Sequence, residues 1–357
     1  MDKYLIDIEV PKVNNAGFKL RSDFNYFLAG HNYIPLKVWI PRYKSVYINL
    51  FLINVISVFV FLKYLIVLKK GSRVLIQYPL NFKYIESFLR IRKFNALQLG
   101  ILINDLDSLR HKKHMKREFL LLKKLDYILS PNDKMSSYLR ENGVAVSIIN
   151  IGMYDYKVQE VNLASKHHPA INNKTVVMFA GNLKKNKSGF IYSLKETTAE
   201  QISFHLYGDN YTSDEVIPNV IYKGTFSPDY IDGLEGDYGL VWDGPDLSTC
   251  SGNYGSYLKL NNPHKTSLYL TAGLPIITWD QSAISEFISA NRVGICVSSL
   301  YELSEVLEGI STQEYALMKA NAMNISEKLK QGHYLSRAIK SSEALVRKPV
   351  VAERSAI

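Results

Sequence analysis

Thr175-Val-Val-Met-Phe-Ala-Gly-Asn182 decides the fold. Six residues of strand character end at a glycine, with a polar residue behind it. That is the signature of a short buried strand meeting a turn. The same unit recurs on both sides. Upstream, strand candidates lie at Tyr4–Val10, Lys37–Ile40, Arg73–Tyr78, Ala96–Ile103, Tyr127–Ser130 and Val144–Ile151. Helical patterns separate them at about 18–30, 45–70, 82–93, 115–125 and 132–142. Downstream, strands are expected at Ser203–Tyr207, Val220–Tyr222, Gly239–Trp242, Pro275–Thr278 and Gly294–Val297. Helices are expected at about 187–196, 227–234, 262–272, 282–290, 300–309 and 312–347, the last broken near Gly332.

Alternation of strand and helix implies doubly wound parallel sheets. The restart at Thr175 follows a polar stretch, Gln159 to Asn173, that reads as a linker. The expectation is an α/β protein of two Rossmann-like domains facing a central cleft. Residues 1–158 form the first, 159–173 the linker and 174–330 the second. A helix and tail at 331–357 are expected to return to the first domain. The 357 residues suffice for two cores. His167-His168 point to opposite sides of an extended segment, so no metal site is expected there. Two cysteines, Cys250 and Cys296, form no disulfide framework and indicate a reducing compartment. Residues 1–10 carry three acidic side chains and read as a strand, not a secretory signal.

Charge is unevenly shared. Residues 1–160 hold 25 Lys and Arg against 13 Asp and Glu; residues 161–357 hold 18 against 20. A basic half beside a near-neutral half points to a polyanion or an anionic membrane at the first domain. The densest patch is Arg110-His-Lys-Lys-His-Met-Lys-Arg117. Its aromatic and basic residues are not interleaved as in a stacking groove, so nucleic acid is not expected. A solvated loop is the ordinary alternative. Val46 to Leu62 runs 17 residues without a charge. Asn49, Asn54 and Ser57 fall within an arc of about 140° at helical spacing, a loose polar side. That side favours a helix packed on a sheet or lying in a membrane interface over one that spans.

In open α/β sheets, ligands bind beyond the carboxyl ends of the strands. Strand 96–103 ends in Asn104-Asp105-Leu106-Asp107, which offers Asp105 as a general base. Two carboxylates alone do not specify a metal. Strand 175–180 ends in Gly181-Asn182, followed by Lys184, Lys185 and Lys187, charge suited to phosphates. Tyr207-Gly208 and Tyr222-Lys223-Gly224 each place an aromatic face beside a glycine, suited to a base or ribose; a core tyrosine explains each equally well. Trp242-Asp243-Gly244 opens a long loop, Leu247 to Leu258. After it, Asn262 and Pro263 read as the cap and first residue of a helix that carries Lys265 in its first turn. A cation there opposes the helix dipole and, with the free amides, makes an anion site. No G-x-x-x-x-G-K-[ST], G-x-G-x-x-G after the first strand, or G-x-S-x-G is present. An ordinary P-loop nucleotidase, a dinucleotide dehydrogenase and a serine hydrolase are thereby disfavoured.

The stretch Gly239–Gly244, Cys250–Lys259, Asn261–Leu270 and Pro275–Asp280 resembles bacterial β-1,6-galactofuranosyltransferases of O-antigen and capsule assembly. Ala16-Gly-Phe-Lys19 and Ala180-Gly-Asn-Leu183 extend the likeness over most of the chain. A more distant resemblance is to the GT-B glucosyltransferases that extend glycans on serine-rich adhesins. The resemblance implies a GT-B fold and a UDP-sugar donor, here UDP-galactofuranose, held mainly by the C-terminal domain. It implies an acceptor glycan on a polyprenyl diphosphate, made at the cytoplasmic face of the bacterial inner membrane by a peripheral enzyme. It assigns Lys265 to the donor diphosphate and Tyr207 to the nucleotide side. It also sets Lys184-Lys185 where the adhesin enzymes carry an arginine near the phosphates. Asn104 stands where relatives carry histidine, which leaves Asp105 as the base. The carboxylate pair of many retaining GT-B enzymes is absent before the helix; Tyr257 and Lys259 occupy that region. Donor-side candidates are therefore Gly17, Gly181, Asn182, Lys184, Lys185, Tyr207, Lys223, Asp243, Tyr257, Asn262, Lys265 and Thr266. No metal or other cofactor is expected. Another UDP-hexose donor, or a nucleotide-sugar epimerase on the same fold, are the alternatives.

Overall fold

A computed structural model describes residues 1–9, 16–111, 114–159, 174–197, 200–212 and 216–346. The 160–173 stretch with its histidine pair, Lys112-Lys113 and the 347–357 tail lie outside the described residues. The first sheet is built by β1 (Lys3–Glu9), β2 (Tyr33–Trp39), β3 (Arg73–Tyr78), β4 (Gln98–Ile103), β5 (Tyr127–Ser130) and β6 (Ser147–Asn150). Its order is β2-β1-β3-β4-β5-β6, all parallel. Connecting helices are α1 (Ala16–Ala29), α2 (Val46–Val67), α3 (Phe82–Asn95), α4 (Asp107–His111), α5 (Met115–Leu122) and α6 (Asp133–Glu141). β3 is buried along its whole length, as a central strand covered on both faces must be. β2 starts four residues earlier than the sequence pattern predicts, because it is an edge strand and tolerates Pro35.

The second sheet comprises β7 (Thr175–Ala180), β8 (Ile202–Tyr207), β9 (Val220–Tyr222), β10 (Tyr238–Val241), β11 (Ile276–Trp279) and β12 (Gly294–Val297). Its order, β12-β11-β10-β7-β8-β9, is also wholly parallel. Its helices are α7 (Lys185–Ser188), α8 (Gly252–Tyr257), α9 (His264–Thr271), α10 (Ser285–Asn291) and α11 (Leu303–Glu308). Two expectations fail here. Residues 227–234 form turns, not a helix, and the presumed long loop 247–258 contains α8. Glycine and serine in Gly252–Tyr257 hide that helix, which is held by tertiary packing.

Two further helices close the chain, α12 (Thr312–Lys330) and α13 (His333–Val346). Gly332 takes φ +71° at the break, against the ring of Phe27. α13 returns to the first domain: Leu335, Ala338 and Ile339 join Leu20, Phe24 and Phe27 of α1 in one core cluster. Asp155 accepts the amides of Tyr334 (3.1 Å) and Leu335 (2.6 Å), capping the returning helix.

α2 is the exception to ordinary burial. The most apolar 18-residue window of its 22 residues has mean hydropathy 2.5, yet only 11% of that window is buried. Val60 and Tyr64 face the core, while Tyr47, Phe51, Val58, Phe59, Leu62 and Ile66 are exposed. Of its three polar residues, Asn49 and Ser57 are half-buried and Asn54 is exposed, so no polar face is turned to solvent opposite an apolar one turned to the core. Asn49 pairs with the backbone of Tyr43, Asn54 receives the Lys83 ammonium of α3, and the Ser57 carbonyl accepts from Ser87.

Candidate active site

α9 begins at the carboxyl edge of the second sheet. Pro263, not Asn262, is its cap residue, and no side chain caps it. Lys265, on its first turn, donates to Asp243 Oδ1 at 2.9 Å and to the Trp242 carbonyl at 3.1 Å. Its ammonium lies 4.2 Å from the centre of the Phe179 ring. Both Lys265 and Asp243 have side chains only 9% exposed. Burial lowers the Lys265 pKa; Asp243 opposes that shift and Lys187 adds to it. Lys187 is thus the member of the lysine loop whose charge reaches Lys265. Lys184 and Lys185 are exposed, Lys185 over the ring of Tyr192 at 5.2 Å.

Gly181 lies beside this ammonium: a Cβ on it would sit 4.0 Å from Lys265 Nζ. The backbone of Gly208 packs so tightly on Gly181 that no side chain fits there. Thr266 is buried on the same turn, its hydroxyl without a hydrogen-bond partner. Asp243, Gly181 and Lys265 are therefore brought together, with Thr266 next to Lys265 in the chain. Others are not. Asn182 braces its own loop, accepting from Lys184 N at 3.1 Å and from Asn210 at 3.2 Å. The Tyr207 hydroxyl is buried and accepts Glu235 N at 3.0 Å. Lys223 is paired with Glu235 at 2.8 Å. Gly17 is exposed in the first turn of α1.

Asn262 and Tyr257 join the domains instead of awaiting a donor. Asn262 donates to the carbonyls of Pro131 and Gly152, each at 2.9 Å, and accepts from Asn132 at 2.8 Å. Tyr257 of α8 reaches the tip of β4, where its hydroxyl accepts Leu106 N at 2.9 Å. Burial raises the Tyr257 pKa well above the usual range, and the adjacent Asp105 carboxylate adds to this. Asp105 is half-buried at that tip. The strand end is fixed by Tyr154, which donates to the carbonyls of Ile103 and Asn104, each at 3.1 Å. Glu118, a buried residue that sequence reading passes over, accepts the amides of Asp107 (3.0 Å) and Ser108 (3.2 Å). It satisfies the first turn of α4. An open cleft of about 600 Å³ adjoins, between Ser108, Leu109 and Met115 of one domain and α8 and Leu260 of the other.

A second buried polar cluster was also invisible in sequence. The Lys19 ammonium contacts Asp23 at 2.5 Å and Asp229 at 3.5 Å, and lies 4.3 Å from the Tyr156 ring. The ring of His264, first residue of α9, stacks on Tyr156 at 4.9 Å. Burial lowers the His264 pKa to about 3, with Lys19 adding to it. Burial raises that of Asp23 to about 7 against the pull of Lys19.

Two wholly parallel sheets of Rossmann-like type facing a cleft make the GT-B arrangement. The fold is shared with the lipopolysaccharide outer core galactosyltransferase WaaB in its apo form, at TM-score 0.64, 14% identity, and coverage of 96% of this chain and 100% of that one. The glucosyltransferase 3-like N-terminal domain matches residues 3–153 and the C-terminal domain residues 177–342. The chain is 33% identical to the β-1,6-galactofuranosyltransferase WbbI of Escherichia coli K12 over 326 residues, 90% of this chain and 92% of that protein. It is 24% identical to glucosyltransferase 3 of Streptococcus parasanguinis over 77% of this chain and 79% of that one. The protein belongs to the glucosyltransferase 3-like family of GT-B glycosyltransferases.

Proposed function

We propose that this enzyme transfers galactofuranose from UDP-galactofuranose to a hydroxyl of a glycan carried on a polyprenyl diphosphate, in O-antigen or capsule synthesis. The observation that carries the reading is the buried Lys265 ammonium at the start of α9, beside Gly181 and the unpartnered Thr266 hydroxyl. A diphosphate there meets a cation and free amides where leaving-group charge develops. The identity to the galactofuranosyltransferase WbbI supports the donor sugar. In the reaction the acceptor oxygen bonds to the anomeric carbon as its proton passes to Asp105. The anomeric carbon–oxygen bond breaks toward UDP, which keeps the electron pair. The mechanism asks for no metal.

The acceptor's lipid gives α2 a role. Its outward apolar face, with Arg42, Lys44, Lys63, Lys69 and Lys70 about its ends, fits the plane of an anionic leaflet. The enzyme is thus a peripheral protein of the cytoplasmic membrane face. Asp105→Asn tests the chemistry: UDP binding by calorimetry is retained while transfer from UDP-galactofuranose is lost. Retained transfer places the base elsewhere. Preference for UDP-glucose in a donor panel overturns the sugar assignment.

A further inference from the structure

We propose that the cleft between α4–α5 and α8 is the subsite for the acceptor's terminal sugar, a refinement that rests on the transfer reaction above. Three observations converge on it. The cleft holds about 600 Å³, on the scale of a glycosyl residue with its neighbours, and both domains line it. Its lining pairs apolar surface (Leu109, Met115, Leu260 and the Tyr257 ring) with polar groups (Ser108, Asn253, Ser256). That mixture suits a pyranose or furanose, which has C–H faces and a hydroxyl rim. The Ser108 hydroxyl is buried and, among the described residues, has no hydrogen-bond partner, although such groups are normally satisfied. A sugar hydroxyl in the cleft satisfies it.

Position selects acceptor over donor. The cleft shares Tyr257 with the tip of β4, so its inner end abuts the residue that takes the acceptor's proton. None of the groups gathered about the Lys265 ammonium lines it. Its outer wall, Met115, opens α5, which packs on α3: His114 meets the Phe82 ring and Arg117 pairs with Glu86 at 2.8 Å. α3 in turn packs on α2 through the Lys83–Asn54 and Ser87–Ser57 contacts. α5, α3 and α2 therefore pack in series between the cleft and the exposed apolar helix, the order in which a glycan and its lipid would meet them.

Ser256 is exposed on α8 and lines the cleft, so Ser256→Phe fills the space without disturbing the core. Octyl glycosides of glucose, galactose, mannose and N-acetylglucosamine serve as probes. Saturation-transfer NMR with UDP bound is expected to show at least one of them binding the wild type and none binding Ser256→Phe. The affinity for UDP, read by calorimetry, stays within twofold of wild type. Ser108→Ala is expected to raise the KM of that glycoside about three- to tenfold, one lost hydrogen bond, with the donor KM unchanged. Binding of no probe by the wild type, binding that survives in Ser256→Phe, or a rise confined to the donor KM overturns the assignment. Wild type that binds a glycoside but transfers no galactofuranose refutes the reaction and leaves the subsite standing.

Discussion

Lys265→Met removes the one ammonium at the head of α9 and keeps the side chain's length. Two separate costs follow. The first is to stability. Lys265 and Asp243 are both about nine-tenths buried and 2.9 Å apart, so the variant leaves a carboxylate in the interior without its cation. Breaking such a pair from one side costs about 3–5 kcal/mol. A second substitution, Asp243→Asn, removes the stranded charge and is expected to recover most of that loss. The second cost is catalytic. One donor aimed at developing charge is worth about 10²–10³ in turnover, and Asp243→Asn cannot restore it. The two costs separate in three measurements. Thermal melts should show a drop for the single variant that the double largely reverses. UDP release from UDP-galactofuranose with acceptor should fall about 10²–10³-fold in both. Calorimetry should show weakened UDP binding in both. Turnover within threefold of wild type in Lys265→Met, or recovery of turnover in the double variant, refutes the assignment of Lys265 to the diphosphate.

Phe51→Glu with Phe59→Glu places two charges on the outward face of α2 without touching the core; flotation with phosphatidylglycerol vesicles should be lost while transfer to an octyl glycoside is kept, and undiminished flotation excludes α2 as the contact. Asp23 keeps its proton to about pH 7 in the fold because it is buried, while the unfolded chain releases it near 3.8. The folded state then binds more protons between these limits, so this group lowers stability as pH rises from about 4 to 7. Asp23→Asn should flatten the melting temperature over that window, leaving the similar contribution of Asp155; an unchanged slope contradicts the raised pKa.

Strand positions were legible because parallel strands buried on both faces read as short apolar runs, as β3, β5 and β7 do; the edge strands β9 and β12, less buried, also keep their predicted bounds. The elements that escaped were those set by context. Pro35 hid the start of β2, since only an edge strand accepts a proline. The small residues of α8 carry no helical period. In α2 the polar residues were visible, but what the apolar ones face was not: Val60 and Tyr64 are buried, Asn54 stays exposed where Lys83 of α3 reaches it, and most of the apolar surface meets solvent. In the site, Lys265 and Asp243 were both candidates from sequence, but their 2.9 Å pairing was not, because they lie on separate elements 22 residues apart. Glu118, Lys19 and Asp23 were missed because a charged residue in sequence reads as solvated; only the fold reveals what pairs it.

The residues flanking Lys265 change what the site can do. Asn262, three positions earlier, is bonded to Pro131, Gly152 and Asn132 of the first domain. His264, immediately before it, stacks on Tyr156, which also carries the Lys19 ammonium of α1 on its ring. The head of α9 is therefore held by both domains, and the domains cannot separate at this joint without releasing it. A ligand that binds the α9 head in its held position binds the joined arrangement more tightly than an opened one. By that difference alone it shifts the population toward the joined state. The same joint carries Tyr257 to the tip of β4, beside Asp105. On the proposed reading, a donor held at the α9 head and a base at the tip of β4 are linked through contacts that both domains share, the Asn262 hydrogen bonds and the Lys19–Asp229 ion pair among them.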